Sequence, residues 1–397
     1  MSSASLLTPS IITKESLVIL ENNLVAANRV NRKFENQFVK IGSSLTIRKP
    51  NKFTVNSGAG LSVEDIAEPS VSITVSNQKH VDFQFTSQDL TLTVEEFSER
   101  YLKPAMATLA NQVDYDVLQL YSSFSNVVGT PGVTPAAFSS SVQLTGRRHD
   151  DLAAPQDNRT LVFNPAAYWA MANGLTGLFV MPTAKEAVVK GYLATIGNYE
   201  IYMDQNVPNH TPGVHYTTNG KVTANGQGTN GTISTHGWST DTFVIGDVVT
   251  FSNTHAINPQ SRISTGVVKP FVINTSSAAS GGTTTLHISP SIVTSGPYQN
   301  VDNQPVSTDT VAILTGTGGT PGTYPQNLAF TRDAMGLVMV PMEIPQGVDF
   351  SARETYRNIS MRTIRAYDIN NDVFPTRIDI LYGTAQYYDE LGVRLTG

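Results

Sequence analysis

The chain has 397 residues, more than a single hydrophobic core ordinarily organises, so two or more compact units are expected. Hydrophobic residues make up 40% and charged residues 15%, which excludes disorder throughout, and a net charge of −6 excludes a strong overall attraction to nucleic acid. The absence of cysteine excludes a disulfide framework, cysteine-ligated zinc, iron–sulfur clusters and a thiol nucleophile.

No basic leader precedes an apolar run, and no stretch of about 18 apolar residues occurs, so a soluble protein without a secretory signal is expected. In chain order, residues 13–36 read as an N-terminal helix with Leu17, Leu20, Leu24 and Ala27 on one side and a basic end at Arg29, Arg32 and Lys33. The runs "SSLTIRKP" (43–50) and "SVSITVSNQKHVDFQFTS" (70–87) alternate like strands around a Gly-rich tip. Together they predict a long hairpin that cannot bury its own faces and needs a partner surface.

From Thr93 the chain predicts a long helix, opened by Thr93 and Glu96 in capping-box spacing and bent by Pro104. Phe97, Tyr101, Ala105, Leu109, Val113, Val117, Leu120 and Phe124 form its apolar face. Its carboxylates Glu95, Glu96, Glu99, Asp114 and Asp116 read as a solvated or interface face. Residues 159–174 predict a strand leading into a short helix through Asn164-Pro165.

Between Asn206 and Pro325 only seven Asp, Glu, Lys or Arg occur: Lys221, Asp241, Asp247, Arg262, Lys269, Asp302 and Asp309. This step in composition, with β-branched runs at 242–252, 265–276 and 283–293, predicts an inserted small all-β barrel or sandwich. Gly246-Asp247 and Gly281-Gly282 fall where hairpin turns are needed. After it, "NISMRTIRAYD" and "PTRIDILYGTAQYY" predict a closing hairpin joined by "INNDVF".

The motifs point away from catalysis. "GQGTNG" (226–231) has the G-x-G-x-x-G spacing of a dinucleotide loop, but a strand rather than a helix follows it, so it reads as a turn. His210, His215, His236, His255 and His287 lack tight metal-ligand spacing and read as loop or strand residues. No G-x-S-x-G elbow occurs. The basic stretches "RVNRKF" (29–34) and "GRRHDD" (146–151) read either as non-specific phosphate contacts or as ordinary solvated charge.

The order of parts resembles the major capsid proteins of tailed double-stranded DNA phages, in the podovirus-type coat proteins that carry an insertion domain. The stretches that carry the likeness are "FSERYLKPAMATLANQVDYDVL" (97–118), "GYLATIGNYEIYMDQNVPNHTPG" (191–213), "IGDVVTFSNTHAINPQSRISTGVVKPFVI" (245–273) and "NLAFTRDAMGLVMVPMEIPQG" (327–347). The resemblance implies an α+β fold of the HK97-like type with an inserted small all-β barrel. It implies an N-terminal arm (1–40), an extended hairpin loop (41–86) and a peripheral domain with the spine helix (87–135). A central domain (136–206) would follow, interrupted by the insertion (207–325), resumed at 326–352 and closed by C-terminal strands (353–397).

By the same resemblance the function is assembly, as hexamers and pentamers, into an icosahedral shell around the phage genome. Partners would be copies of itself, scaffolding and portal proteins and enclosed double-stranded DNA, with no membrane, no cofactor, no metal and no catalytic residue. The location would be the virion, after assembly in the host cytoplasm. Candidate subunit contacts on the hairpin are Arg48, Lys49, Lys52, Glu64 and Asp65, and candidate DNA-facing charges are Arg29, Arg32 and Lys33. The alternatives are a β-rich tail or adhesion protein, a hydrolase with a β appendage, and a cellular nanocompartment shell protein.

Overall fold

The structure is a computed structural model that describes residues 9–34, 44–55, 58–61, 63, 68–86, 98–174, 195–215, 220–314, 322–348, 350–357, 359–371 and 373–397. Two compact units share the chain. One comprises residues 1–47, 70–117 and 335–385, the other 48–69, 118–334 and 386–397.

In the first unit the N-terminal helix spans Pro9–Asn23 and buries Leu17 and Leu20. It stops well short of residue 36, the predicted end. The N–H groups of Val25 and Ala27 donate to Asp114 at 2.7 and 2.8 Å instead of to helical carbonyls, while the Asn28 amide caps the carbonyls of Glu21 and Leu24. Asp114 is thus buried and structural, which corrects its reading as a solvated carboxylate. Asp116 also departs from that reading, accepting the Tyr382 hydroxyl at 2.6 Å.

The long helix runs as a π-helical turn at Ser98–Leu102 and an α-helix at Lys103–Leu118, continued by a 3-10 turn at Gln119–Ser123. Leu109, Val113 and Val117 are buried as the periodicity predicts. Pro104 has no N–H to offer the carbonyl of Arg100, and the wider π turn absorbs that defect immediately before it. The capping residues Thr93 and Glu96 lie outside the described residues.

The fourteen-residue strand Val373–Gln386 is central to the sheet of this unit. On one side it pairs with Ile359–Arg365, forming the predicted closing hairpin, and beyond that strand lies Phe350–Tyr356. Asn77–Thr86 also pairs with it, antiparallel, from Val373↔Thr86 to Tyr382↔Asn77. The predicted hairpin arm 70–87 is therefore two strands. Only Ser70–Thr74 pairs with Ser44–Arg48, and Asn77–Thr86 finds its partner within the chain.

In the second unit a mixed sheet orders its strands as Val127–Gly129, Gly392–Thr396, Tyr324–Thr331, Arg159–Phe163 and Tyr199–Met203. Leu161, Phe163, Tyr168, Met171, Tyr199 and Leu395 form its core with the helix Pro165–Gly174. Asn164 Oδ1 accepts the Ala167 N–H at 3.1 Å with Pro165 in the first turn, the junction expected from sequence.

The weakly charged stretch forms a second, antiparallel sheet in the order Val311–Ile313, Val248–Ile257, Ser264–Thr275, Thr283–Ser289, Thr232–His236 and Lys221–Val222. Its two edge strands meet: Val311 N–H donates to Gly220 at 2.7 Å and Val222 N–H to Asp309 at 3.1 Å. Phe243, Phe251, Phe271, Leu286 and Trp238 fill the space enclosed. Gly281 and Gly282, at φ +60° and +79°, make the tight turn before Thr283–Ser289.

Candidate assembly surface

The segment joining the paired strands Ser44–Arg48 and Ser70–Thr74 is closed at its base by the Lys49 N–H, which donates to Pro69 at 2.8 Å. Beyond that base the chain turns apolar side chains outward. Phe53 is 67% exposed, Val55 99%, Leu61 92% and Val63 79%. Four large exposed apolar groups thus lie within eleven residues of one loop, which makes this loop the candidate contact surface.

The predicted contact charges divide. Arg48 pairs with Glu68 at 2.9 Å in an exposed bridge worth little to stability. Lys49 sits 4.8 Å above the Tyr388 ring, and burial pushes its ammonium below the usual lysine range. Lys52 Nζ lies 2.6 Å from Glu390 Oε1. Burial pushes the Glu390 carboxyl upward, but Lys52, a backbone hydrogen bond and Lys269 together hold the group below the usual carboxylate range. Glu64 and Asp65 lie outside the described residues. Arg29 and Arg32 are half-buried and Lys33 is exposed, in the turns after the first helix.

Two basic residues read as surface charge are interior. Arg148 and His149 are buried, and His149 lies 2.5 Å from the Tyr199 hydroxyl with its Nε2 donating to Leu391 O at 3.2 Å. Burial, with Arg159 nearby, pushes the His149 pKa down from 6.5 to about 3. The unfolded chain therefore takes up a proton near pH 6.5 that the folded chain refuses until about pH 3, so stability falls as pH drops through that window. At pH 4.5 the expected loss is about 2–3 kcal/mol relative to pH 7. Urea unfolding of the unassembled subunit should show a steeper acid loss for the wild type than for His149→Asn; equal slopes would contradict it.

The remaining chemical motifs resolve as structural. Gly226, Gly228 and Gly231 all take positive φ, and the strand Thr232–His236 follows, so "GQGTNG" is a turn. His210 donates from Nε2 to the buried Asp247 at 2.9 Å and meets the Tyr121 hydroxyl at 3.1 Å, while His255 pairs with Asp302. Among the described residues no group of three His, Asp or Glu is placed to hold a metal ion. Among the described residues no helix is long and apolar enough to cross a membrane.

The anchoring turn Tyr388–Leu391 was missed from sequence. Its signal, an Asp-Glu pair before the last strand, gives no indication that cations more than a hundred residues away converge on it. Besides Glu390, Asp389 accepts the N–H and hydroxyl of Ser125 at 2.7 and 2.5 Å and lies 3.8 Å from the buried Lys269.

The model of the family described as P22 coat protein, gene protein 5, matches residues 1–397. The chain belongs to the P22 coat protein family. It is a tailed-phage major capsid protein, a subunit of the shell. A solved structure from Mycobacterium phage Che8 is similar at 12% identity and a TM-score of 0.50, with 94% of this coat protein and 90% of that chain covered. The capsid structure of the cyanophage P-SCSP1u matches at 9% identity and a TM-score of 0.45 over 90% and 84% of the two chains. The capsid of Ralstonia phage GP4 matches at 8% identity and 0.43 over 94% and 87%. A search of the curated proteins finds no match. The family match favours neither the tail nor the nanocompartment reading of the coat protein.

Proposed function

We propose that the chain adopts the HK97-like capsid fold and that its weakly charged stretch is an inserted β-barrel domain. The long helix and the sheet around Val373–Gln386 support the first reading; the meeting edges of the antiparallel sheet at Gly220–Val222 and Asp309–Val311 support the second. Subunits assemble as hexamers and pentamers around double-stranded DNA in the host cytoplasm, with scaffolding and portal proteins as partners and no catalytic step. Arg29, Arg32 and Lys33 face the enclosed DNA.

The observation that carries the reading is the exposure of Phe53, Val55, Leu61 and Val63 on one loop; in the proposed shell this tip lies along a neighbouring copy. Electron microscopy of the expressed chain, with and without a scaffolding partner, tests it: polyhedral shells are expected, and a monodisperse monomer under both conditions would refute it. Arg48 probes the hairpin further, because its bridge to Glu68 is largely exposed. Arg48→Glu is expected to lower shell yield while leaving the subunit's unfolding free energy in urea within about 0.5 kcal/mol of wild type. A lowered midpoint with normal shells would move Arg48 out of the subunit contact.

A further inference from the structure

An apolar tip contributes most to association when its direction is set before a neighbour arrives, because ordering it at the moment of contact costs affinity. The base of this segment is fastened at three points within its own compact unit. Lys49 sits over the Tyr388 ring at 4.8 Å, Asn51 Oδ1 accepts the Tyr298 hydroxyl at 3.2 Å, and Lys52 meets Glu390 at 2.6 Å. Phe53 stands at the junction of base and tip: 67% exposed, it also lines a cleft of about 520 Å³ with Leu152, Pro155, Pro259 and Leu391.

The fastening ends where the tip begins. Val55 and every described residue from Gly58 to Glu68 are exposed. Of the three points, the Lys52–Glu390 pair is the charge-assisted one, and its side chains are only 38% and 30% exposed, so it is less screened than a fully solvated bridge.

We propose that Lys52 and Glu390 form an intrachain latch that aims the hairpin tip before assembly, so that the subunit presents a pre-ordered apolar edge to a second copy. The latch rests on the shell-forming reading of the tip and adds a regulatory element to it: a subunit with the latch open is folded but poorly directed. Salt, which weakens the pair, opens the latch.

Limited proteolysis of the unassembled, full-length subunit reads the latch, and light scattering during assembly reads its consequence. Lys52→Met and Glu390→Gln are each expected to raise the cleavage rate within residues 48–69 about threefold or more, and to raise the concentration needed for shell formation. The double variant should be no more open than either single one, because both remove the same interaction. Unchanged cleavage in the single variants, or effects that multiply in the double variant, would overturn the latch. Proteolysis is read before any shell forms, so failure of the latch is distinct from failure of the shell-forming reading, which the wild type alone decides.

Discussion

Arg394→Met is expected to destabilise the unassembled subunit by at least about 3 kcal/mol, the largest single effect foreseen on folding. Arg394 is fully buried on the last strand, and its guanidinium donates to Gly246 O at 2.9 and 3.0 Å, to Gln326 Oε1 at 3.2 Å and to Phe124 O at 3.4 Å. Burial pushes its pKa down to about 10, yet it stays charged at neutral pH, with Tyr121 beneath it at 5.2 Å and the Asp247 carboxylate nearby. Methionine fills much of the volume but leaves these acceptors without donors in a region closed to water. Arg394→Lys should recover little, because one ammonium cannot span the fork. A urea midpoint unchanged in Arg394→Met would refute this account.

Leu61→Asp is expected to abolish shell formation and leave the subunit as stable as wild type within about 0.5 kcal/mol. Leu61 is 92% exposed, so the substitution removes no interior contact. In the proposed shell contact the same position meets a neighbour, where a carboxylate would be desolvated without a partner. Even a tenfold weakening per contact, about 1.4 kcal/mol, is repeated at every subunit junction and suppresses closure. Sedimentation of assembled against unassembled protein measures the effect. Normal shells from Leu61→Asp would remove the tip from the assembly surface, and a lowered urea midpoint would show that Leu61 serves the fold.

The candidate surface was partly legible before the fold was known. Alternating strands around a Gly-rich tip marked residues 43–87 as an extended hairpin in need of a partner surface, of which only Ser44–Arg48 and Ser70–Thr74 pair with each other, and its charges were named as contacts. What could not be read was which of those charges are engaged within the chain. Lys52 and Glu390 are 338 residues apart in sequence, and no local pattern reports a pairing at that distance. Arg148 and His149 illustrate the same limit in reverse. "GRRHDD" looks solvated in composition, whereas both side chains are buried, His149 bonding Tyr199 and Leu391 and Arg148 reaching Asn126.

The first helix shows where local propensity yields. Its apolar spacing continues past Asn23, but Asp114 captures the next N–H groups and ends it. Likewise 70–87 reads as one alternating run, Val71, Ile73 and Val75 and then Val81, Phe83 and Phe85, yet the chain divides it between two partners at residues 75–76, beside the polar stretch Ser76–His80.

By itself the sequence determined the elements that depend on neighbours within a turn or a strand: the long apolar helix face, the Asn164-Pro165 start, the Gly-Gly turn and the drop in charge that sets residues 206–325 apart. Only the tertiary structure decided which buried charges are paired, where the first helix stops, and how the hairpin base is held. Those outcomes depend on groups far apart in the chain being brought within hydrogen-bonding distance, where desolvation makes a missing partner costly and a present one decisive.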